Sequence, residues 1–336
     1  MLKANLNTSA GILKELFNKV WEEEKVPEAW KKGIIVKLPK KGDLSLSGNW
    51  RDWVMRKATE DRLRVIAWGS SGHIEDCDFA DDIALISSSQ TDLQEKTDRV
   101  GRAARCVGLN IHAGKSKIMK IKTASSTKTV LCDVELEEVN DFKYLGSYIS
   151  ADGNIQKEIS TRIGLAANAF YRLQNIWRST ILQMKTKVEI YRSNVHSVLL
   201  YAAETWRTNK KIESWLRGFE RTCLRRILNI HWPQRITNVE VSRLTGINNI
   251  VDEAKQRRWR WLGHVLRMDA DRHPRIALRW TPQGRRRRGR PLGTWRRTIE
   301  EEMKGMGMKW DEICCLAQEQ NEWRRVVGAL CSTGSE

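Results

Sequence analysis

Two adjacent carboxylates stand between two short apolar segments of the sequence. Asp81 and Asp82 follow Phe79, and a second apolar segment begins at Ile83. Short apolar runs on either side of a polar turn predict a β-hairpin over residues 74–86, with both carboxylates at its tip. Two carboxylates on one tight turn need a cation, and in two-metal phosphoryl transfer such groups hold divalent ions that clamp the attacking and leaving oxygens. The alternative is an ordinary exposed Asp-Asp turn.

The segments around this hairpin are predicted to be a mixture of helices and strands. Apolar residues at three- and four-residue spacing predict a helix over residues 10–24, and a short apolar run predicts a strand over residues 33–38. A second helix is predicted over residues 91–107, where Gly108 would end it. Further strands are predicted over residues 117–121, 130–136 and 142–149. The first 150 residues are therefore predicted to be α+β.

The apolar spacing changes beyond Gly153 and predicts helices for the rest of the chain. A face of apolar residues at steps of four and three runs from Ile155 to Trp177. Further helices are predicted over residues 182–206, 212–228 and 251–268, each apolar on one face and rich in arginine on the other.

Positive charge is concentrated in the C-terminal part. Lys and Arg total 59 against 41 Asp and Glu, and the net charge of +18 indicates a polyanionic partner or an acidic surface. Residues 253–297 contain 15 Lys or Arg and three acids, which favours a phosphate-facing surface over a merely solvated one. Residues 281–293 are predicted to be an irregular linker that orders on a partner. The candidate nucleic-acid-binding residues of this region are Arg257, Arg258, Arg260, Arg285, Arg286, Arg287, Arg288 and Arg290.

Tryptophan alternates with arginine in the same region. Trp259, Trp261, Trp280 and Trp295 have the interleaving of a base-stacking platform. Helices also bury tryptophan against each other, and that alternative is favoured for most of the 15 tryptophans. His264 lies beside this group, where packing or a phosphate contact is favoured over catalysis.

Composition also excludes several classes of protein. The longest uncharged apolar runs are far shorter than the ~18 to 20 residues that cross a bilayer, so no membrane partner is expected. No secretory signal is predicted, which favours an intracellular location, and the arginine cluster favours the nucleus over the cytoplasm. The seven cysteines are scattered and form no C-x-x-C pair, which argues against a disulfide framework and a zinc knuckle.

Several segments resemble the reverse transcriptases of non-LTR (LINE-like) retrotransposons. The palm hairpin of that family has the same F-A-D-D form, here residues 79–82. Segments similar to the start of the family's fingers are residues 27–30, Lys40-Lys41-Gly42-Asp43 and Asn49-Trp50-Arg51. The family's next palm motif is similar to Gly108-Leu109-Asn110-Ile111 with Lys115-Ser116-Lys117, and its primer-grip hairpin is similar to Phe142-Lys143-Tyr144-Leu145-Gly146. Its thumb and C-terminal region are similar to four later segments: Leu200-Tyr201 with Glu204-Thr205-Trp206, Phe219-Glu220-Arg221, Gly263-His264-Val265-Leu266-Arg267-Met268 and Gly289-Arg290-Pro291.

This resemblance implies an RNA-directed DNA polymerase that acts on an RNA template and a DNA primer or target. By the same resemblance, Asp81 and Asp82 would face the catalytic Mg²⁺ ions, and Lys115 or Lys117 would lie near the triphosphate leaving group. Arg51, Lys40 and Lys41 would lie by the template and the incoming nucleotide. For Lys115 and Lys117 the alternative is a pair of solvated loop lysines.

One block of the family's sequence is missing. Arg51 is followed at once by residues 52–57, which in the family lie just upstream of the F-A-D-D hairpin. The missing block contains the palm strand with the other metal-binding aspartate, and no nearby acid stands in a matching strand. A catalytic group misplaced by ~1 Å already loses much of its rate, so the polymerase centre is predicted to be inactive. Losing a central strand should also expose a sheet edge.

The predicted fold is α+β, a truncated reverse-transcriptase fingers and palm portion followed by an α-helical thumb and a basic helical C-terminal region. The predicted domains are a fingers remnant over residues 1–51, a partial palm over 52–150, a thumb-like region over 151–250 and a nucleic-acid-binding region over 251–336. The predicted function is a retrotransposon reverse transcriptase with an incomplete catalytic centre. The alternative is a non-enzymatic basic nucleic-acid-binding protein, and the two can both hold.

Overall fold

The computed structural model describes residues 54–55, 57–58, 66–68, 72–74, 76–79, 82–121, 127–231, 233–279 and 293–330. The chain divides into two units, Met1–Trp53 and Val54–Glu336, and every described residue lies in the second. The helix predicted over residues 10–24 and the strand predicted over residues 33–38 lie outside the described residues.

The described part of the chain begins with helical residues at 54–55 and 57–58, and two antiparallel hairpins follow. Strand β1 (Ile66–Trp68) pairs with β2 (Gly72–Ile74), and β3 (Asp76–Phe79) pairs with β4 (Asp82–Leu85). The hairpin predicted over residues 74–86 is confirmed as β3 and β4. A connection of two residues is the shortest that commonly joins antiparallel strands, which is why local turn signals were enough to find it.

Helix α1 (Gln90–Cys106) follows this hairpin and agrees with the helix predicted over residues 91–107. The Ser89 side chain accepts the Asp92 N–H at 3.1 Å and caps its first turn. Beyond its last turn, Gly108 has φ +74°, the left-handed conformation that commonly ends a helix. The buried face of α1 forms a small core with residues of the preceding segment: Val54, Met55, Ala58, Val100, Ala103 and Ala104.

The strands after α1 are short and pair locally. Strand β5 (Lys117–Ile118) runs parallel to β8 (Glu137–Glu138), β6 (Val130–Leu131) pairs antiparallel with β7 (Val134–Glu135), and β9 (Asp141–Tyr144) pairs antiparallel with β10 (Ser147–Ser150). The prediction of one strand over residues 130–136 is wrong, because Cys132 and Asp133 both have positive φ and turn the chain back. The segment 142–149 is likewise a hairpin, with Leu145 and Gly146 at positive φ in its turn.

A first helical core lies within residues 155–254. It is built by α2 (Gln156–Arg172), α3 (Gln174–Arg178), α4 (Met184–Tyr191), α5 (Ser197–Leu199), α6 (Lys210–Ile227), α7 (Asn238–Thr245) and the first turns of α8 (Ile250–Leu266). The fully buried members include Ile159, Leu216 and Ile250. The apolar stripe from Ile155 to Trp177 packs inward, but its spacing predicts one long helix, whereas α2 ends at Arg172 and α3 begins at Gln174.

The single helix predicted over residues 182–206 is wrong, because the chain changes its backbone conformation three times there. A π-helical turn (Arg192–His196) separates α4 from α5, and a 3₁₀ turn (Ala203–Thr205) follows. Between them Ala202 has φ +57°, which a right-handed helix cannot accommodate. Apolar spacing alone did not reveal this break, since the residues on both sides are buried.

A second helical core joins the C-terminal half of α8 to the last four helices. These are α9 (His273–Arg279), α10 (Trp295–Gly305), α11 (Trp310–Leu316) and α12 (Gln320–Ala329). Trp259, Leu262 and Trp323 are among its buried members. Across the described residues, no helix combines the length and the apolar character that a membrane span requires.

Candidate nucleic-acid interface

The strand register places Asp82 at the turn end of the β3–β4 hairpin. Phe79 pairs with Asp82, so two residues, Ala80 and Asp81, separate the paired strands. Both lie outside the described residues. Asp82 is exposed, and its carboxylate is open to solvent. Because oxygen ligands are those that Mg²⁺ prefers, Asp82 is the described residue that would hold such an ion, together with Asp81 beside it in the sequence.

Two side chains from other elements hold this hairpin in place. The Tyr144 hydroxyl, on β9, donates a hydrogen bond to the Cys77 carbonyl oxygen at 3.0 Å. The Lys96 ammonium, on α1, donates to the Ile86 carbonyl oxygen at 2.8 Å, and Lys96 is only 2% exposed. The β9–β10 hairpin and α1 therefore both support the β3–β4 hairpin, which carries Asp82.

The sheet that carries Asp82 is narrow. Strands β3 and β4 pair with each other and with no other strand among the described residues. In that same part of the chain, no group of three His, Cys, Asp or Glu side chains is arranged to hold a metal ion. Asp76 lies in β3 itself, paired with Leu85 at the end of the hairpin remote from Asp82.

The two candidate lysines after α1 have different surroundings. Lys117 forms an ion pair with Glu137 across the parallel β5–β8 pair. Lys115 lies at the end of a 3₁₀ turn (Ala113–Lys115) and is exposed. Of the two, Lys115 has the side chain that is free to reach a phosphate. Three further basic candidates, Lys40, Lys41 and Arg51, belong to the first unit and lie outside the described residues.

The turn of the β9–β10 hairpin is fixed by residues of the helical region. The Tyr201 hydroxyl donates a hydrogen bond to the Leu145 carbonyl oxygen at 2.8 Å, and the Arg162 guanidinium donates to the Gly146 carbonyl oxygen. The Arg162 Cζ lies 4.3 Å from the centroid of the Tyr201 ring. Glu158 accepts a hydrogen bond from Arg162 Nε at 2.6 Å and orients it. The turn of the β9–β10 hairpin is therefore attached to α2 and to the residues just after α5.

The arginines of α8 have three different environments. Arg258 is 1% exposed, forms an ion pair with Glu302 and donates to Thr208 Oγ1 at 3.1 Å. Burial lowers the pKa of its guanidinium, and the Glu302 carboxylate opposes that effect. Arg257 is half-buried against Glu253, whereas Arg260 is exposed. In this arrangement the exposed Arg260 can contact a phosphate. Arg258 cannot, because it is buried and paired with Glu302.

The tryptophans of the same region divide in a similar way. Trp259 is buried and donates its Nε1–H to Glu302 at 2.7 Å, and Trp295 donates its Nε1–H to the Glu204 carbonyl oxygen at 2.7 Å. Trp261 is 37% exposed and lies 5.5 Å from the exposed His264 ring. Packing therefore accounts for Trp259 and Trp295, and Trp261 has the ring that solvent can reach. Trp280 and Arg285, Arg286, Arg287, Arg288 and Arg290 lie outside the described residues.

Sequence reasoning missed a buried polar cluster beside the π-helical turn. His196 is 3% exposed, with its Nε2 at 3.7 Å from Glu220 Oε1 and its Nδ1 at 3.4 Å from Glu253 Oε2. Burial lowers the pKa of His196 and raises the pKa of Glu220 to about 7. Glu220 Oε2 accepts the Ile250 N–H at 3.1 Å, at the start of α8. The available signal was Glu220 itself, an acid at an apolar position of α6, four residues after Leu216.

Two comparisons relate the chain to other proteins. A family model described as a domain of unknown function (DUF6451) matches residues 169–201, from the last turn of α2 to the end of α5. A Caenorhabditis elegans protein named "Putative uncharacterized transposon-derived protein F52C9.6" is 26% identical to this chain over 261 residues, which is 74% of this chain and 93% of that protein. No solved structure matches the chain.

Proposed function

We propose that this chain is a transposon-derived protein of the reverse-transcriptase lineage that holds nucleic acid and does not extend a primer. The similarity to a transposon-derived protein supports its origin in a mobile element. Its net charge of +18 and the order of the reverse-transcriptase-like motifs support a polyanionic partner such as an RNA template or a DNA target.

The observation that carries the polymerase lineage is the register of the F-A-D-D hairpin. Pairing Phe79 with Asp82 puts the second aspartate at the tip of an antiparallel ribbon, where a carboxylate can meet a metal ion and a phosphate. Mg²⁺ bound there would supply charge neutralisation at the transferred phosphoryl group. The third carboxylate of the family has no counterpart in the sequence between Arg51 and this hairpin, which is why primer extension is not expected.

A primer-extension assay tests this proposal with the purified full chain, Mg²⁺, nucleotides and a primed RNA template. The expected result is no incorporation, together with binding of the primed template that weakens steeply with salt. Incorporation that disappears in Asp82→Asn and persists in Asp133→Asn would establish a working enzyme instead. Asp133 is a suitable control because, like Asp82, it is exposed and lies at the turn end of a short antiparallel hairpin.

The second candidate function is a non-enzymatic nucleic-acid-binding protein, which the positive charge of residues 253–297 favours. In that case the basic segment alone would account for affinity. Replacing Arg285 to Arg288 with serine is expected to lower the slope of log affinity against log salt, because each phosphate contact contributes ~0.7 to 0.9 of slope. An unchanged slope would exclude this segment as the binding surface.

A further inference from the structure

An aromatic groove lies between α2 and α6. It has a volume of about 460 Å³, within the range of ~300 to 1,000 Å³ typical of ligand sites. Its lining includes Ile163, Tyr171, Trp215, Gly218, Phe219 and Arg226. All the lining residues in the described part of the chain lie on α2 and α6.

The groove combines ring surfaces with cations. Tyr171 is 55% exposed, and the Arg226 Cζ lies 5.2 Å from the centroid of its ring, so this pair bridges α2 and α6. Farther along α6, the Lys211 Nζ lies 5.1 Å from the centroid of the Trp215 ring. Lys211 and Arg226 are 15 residues apart on one helix, or roughly 22 Å at 1.5 Å per residue.

The charge of the groove has one sign. None of its lining residues in the described part of the chain is acidic, and Arg226 is the charged member. On α6, Glu213 forms an ion pair with Arg217 at 3.1 Å, and Glu220 is buried beside His196 with one oxygen accepting the Ile250 N–H. An anionic ligand with flat apolar groups therefore fits the groove, and a cationic ligand does not.

Gly218 keeps the groove open. It lies in the middle of α6, where glycine lowers helix propensity relative to alanine. An added Cβ at Gly218 would have no heavy atom within 4 Å, so packing within the described fold does not require a glycine there. A larger side chain would instead extend into the groove that Gly218 lines.

We propose that this groove binds a single-stranded segment of nucleic acid. Unpaired bases would stack on the Tyr171 and Trp215 rings, and the phosphates between them would contact Arg226 and Lys211. Stacking needs unpaired bases, because a duplex hides its base faces and would offer only phosphates to the rim. This inference rests on the proposed function, since it names the form of nucleic acid that the helical region prefers.

Fluorescence anisotropy with the full chain and labelled oligonucleotides of one length, single-stranded or duplex, tests the inference. Tyr171→Ala and Gly218→Leu are expected to weaken binding of the single strand about tenfold, the effect of losing one stacked base, with duplex affinity unchanged. Gly218→Ala is the matched control, expected to bind as the wild type does. Tyr171→Phe should also retain binding, because the ring remains.

The outcomes separate the two proposals. If the wild-type chain binds neither oligonucleotide, the proposed function fails and the groove inference fails with it. If the wild-type chain binds but Tyr171→Ala and Gly218→Leu bind the single strand equally well, the groove is not the site, and nucleic-acid binding stands. Equal losses for single strand and duplex would also overturn it. Thermal unfolding of each variant shows whether a loss of binding reflects a loss of fold.

Discussion

Trp323 occupies the space that a side chain at position 263 would fill. A Cβ added to Gly263 would lie 2.0 Å from Trp323 Nε1. The Trp323 indole donates a hydrogen bond to the Trp259 carbonyl oxygen at 3.0 Å, and the two indole rings are stacked with centroids 5.6 Å apart. The close approach of α12 to α8 therefore explains why position 263 is a glycine.

Gly263→Ala is expected to lower the free energy of unfolding by about 1 to 3 kcal/mol, because the fixed indole must move to make room. Alanine is otherwise the better helix former, so an exposed helical glycine should respond in the opposite direction. Gly218→Ala provides that control and should gain up to about 1 kcal/mol. Denaturant unfolding of both variants gives the comparison. Equal gains in stability would contradict the close packing at Gly263.

Arg258→Met is expected to lower the free energy of unfolding by about 3 to 5 kcal/mol, because it leaves the Glu302 carboxylate buried without its cation. The double variant Arg258→Met with Glu302→Gln should regain much of that loss, because it removes the buried charge and keeps an acceptor for the Trp259 Nε1–H. Denaturant unfolding measures both. The salt dependence of nucleic-acid binding should stay unchanged in the folded double variant.

Arg260→Gln is the matched substitution on the exposed face of the same helix. It should leave the free energy of unfolding within about 0.5 kcal/mol of the wild type, as surface changes usually do. If this surface meets phosphate, the slope of log affinity against log salt should fall by ~0.7 to 0.9. If the Arg258 variant changed the salt slope and the Arg260 variant changed the free energy of unfolding, the assignment of Arg258 to the interior and Arg260 to the binding surface would be wrong.

Sequence could predict the elements whose signals are local. The β3–β4 hairpin and the end of α1 depend on a tight turn and on Gly108, and each of these acts within a few residues. Arg258 shows where such reasoning was incomplete. It lies four residues after Ala254 and four before Leu262, both buried, so the period of α8 already placed it on the inward face.

The remaining features depend on contacts that sequence spacing does not contain. The break after Leu200 is stabilised by Tyr201, whose hydroxyl reaches a turn 56 residues earlier in the chain. The ion pair between Arg258 on α8 and Glu302 on α10 joins two residues that are 44 positions apart in the sequence. Contacts of this length decide which cation is buried and which is exposed, and no local propensity encodes them.

Leu145→Asn is expected to raise the free energy of unfolding by about 1 kcal/mol. Leu145 has φ +48° and is followed by Gly146 at φ +81°, so the β9–β10 turn uses a conformation that Asn-Gly adopts with less strain. The Leu145 side chain is partly exposed, and the Tyr201 hydrogen bond uses its backbone carbonyl, so both features survive the change. A loss of stability on denaturant unfolding would show that the leucine side chain matters more than the turn.

The buried His196–Glu220 pair predicts opposite effects of pH on stability. The pKa of Glu220 is about 7 in the folded chain and near 4.5 when unfolded, so the folded state binds the extra proton between these values. Stability from Glu220 is therefore present at low pH and is lost as the pH rises through 7. The pKa of His196 is lowered by burial from 6.5, so its contribution increases as the pH rises to 6.5.

Between pH 5 and 7 the Glu220 effect lowers the free energy of unfolding as the pH rises, because the folded state keeps a carboxyl proton that the unfolded state has lost. Glu220→Gln should then flatten the fall in the free energy of unfolding over this range, relative to the wild type. His196→Gln should steepen the fall between pH 5 and 6.5, since it removes the opposing contribution. Denaturant unfolding at half-unit intervals of pH measures both slopes. If Glu220→Gln and the wild type have parallel profiles between pH 5 and 7, the Glu220 carboxyl is not protonated in the folded chain.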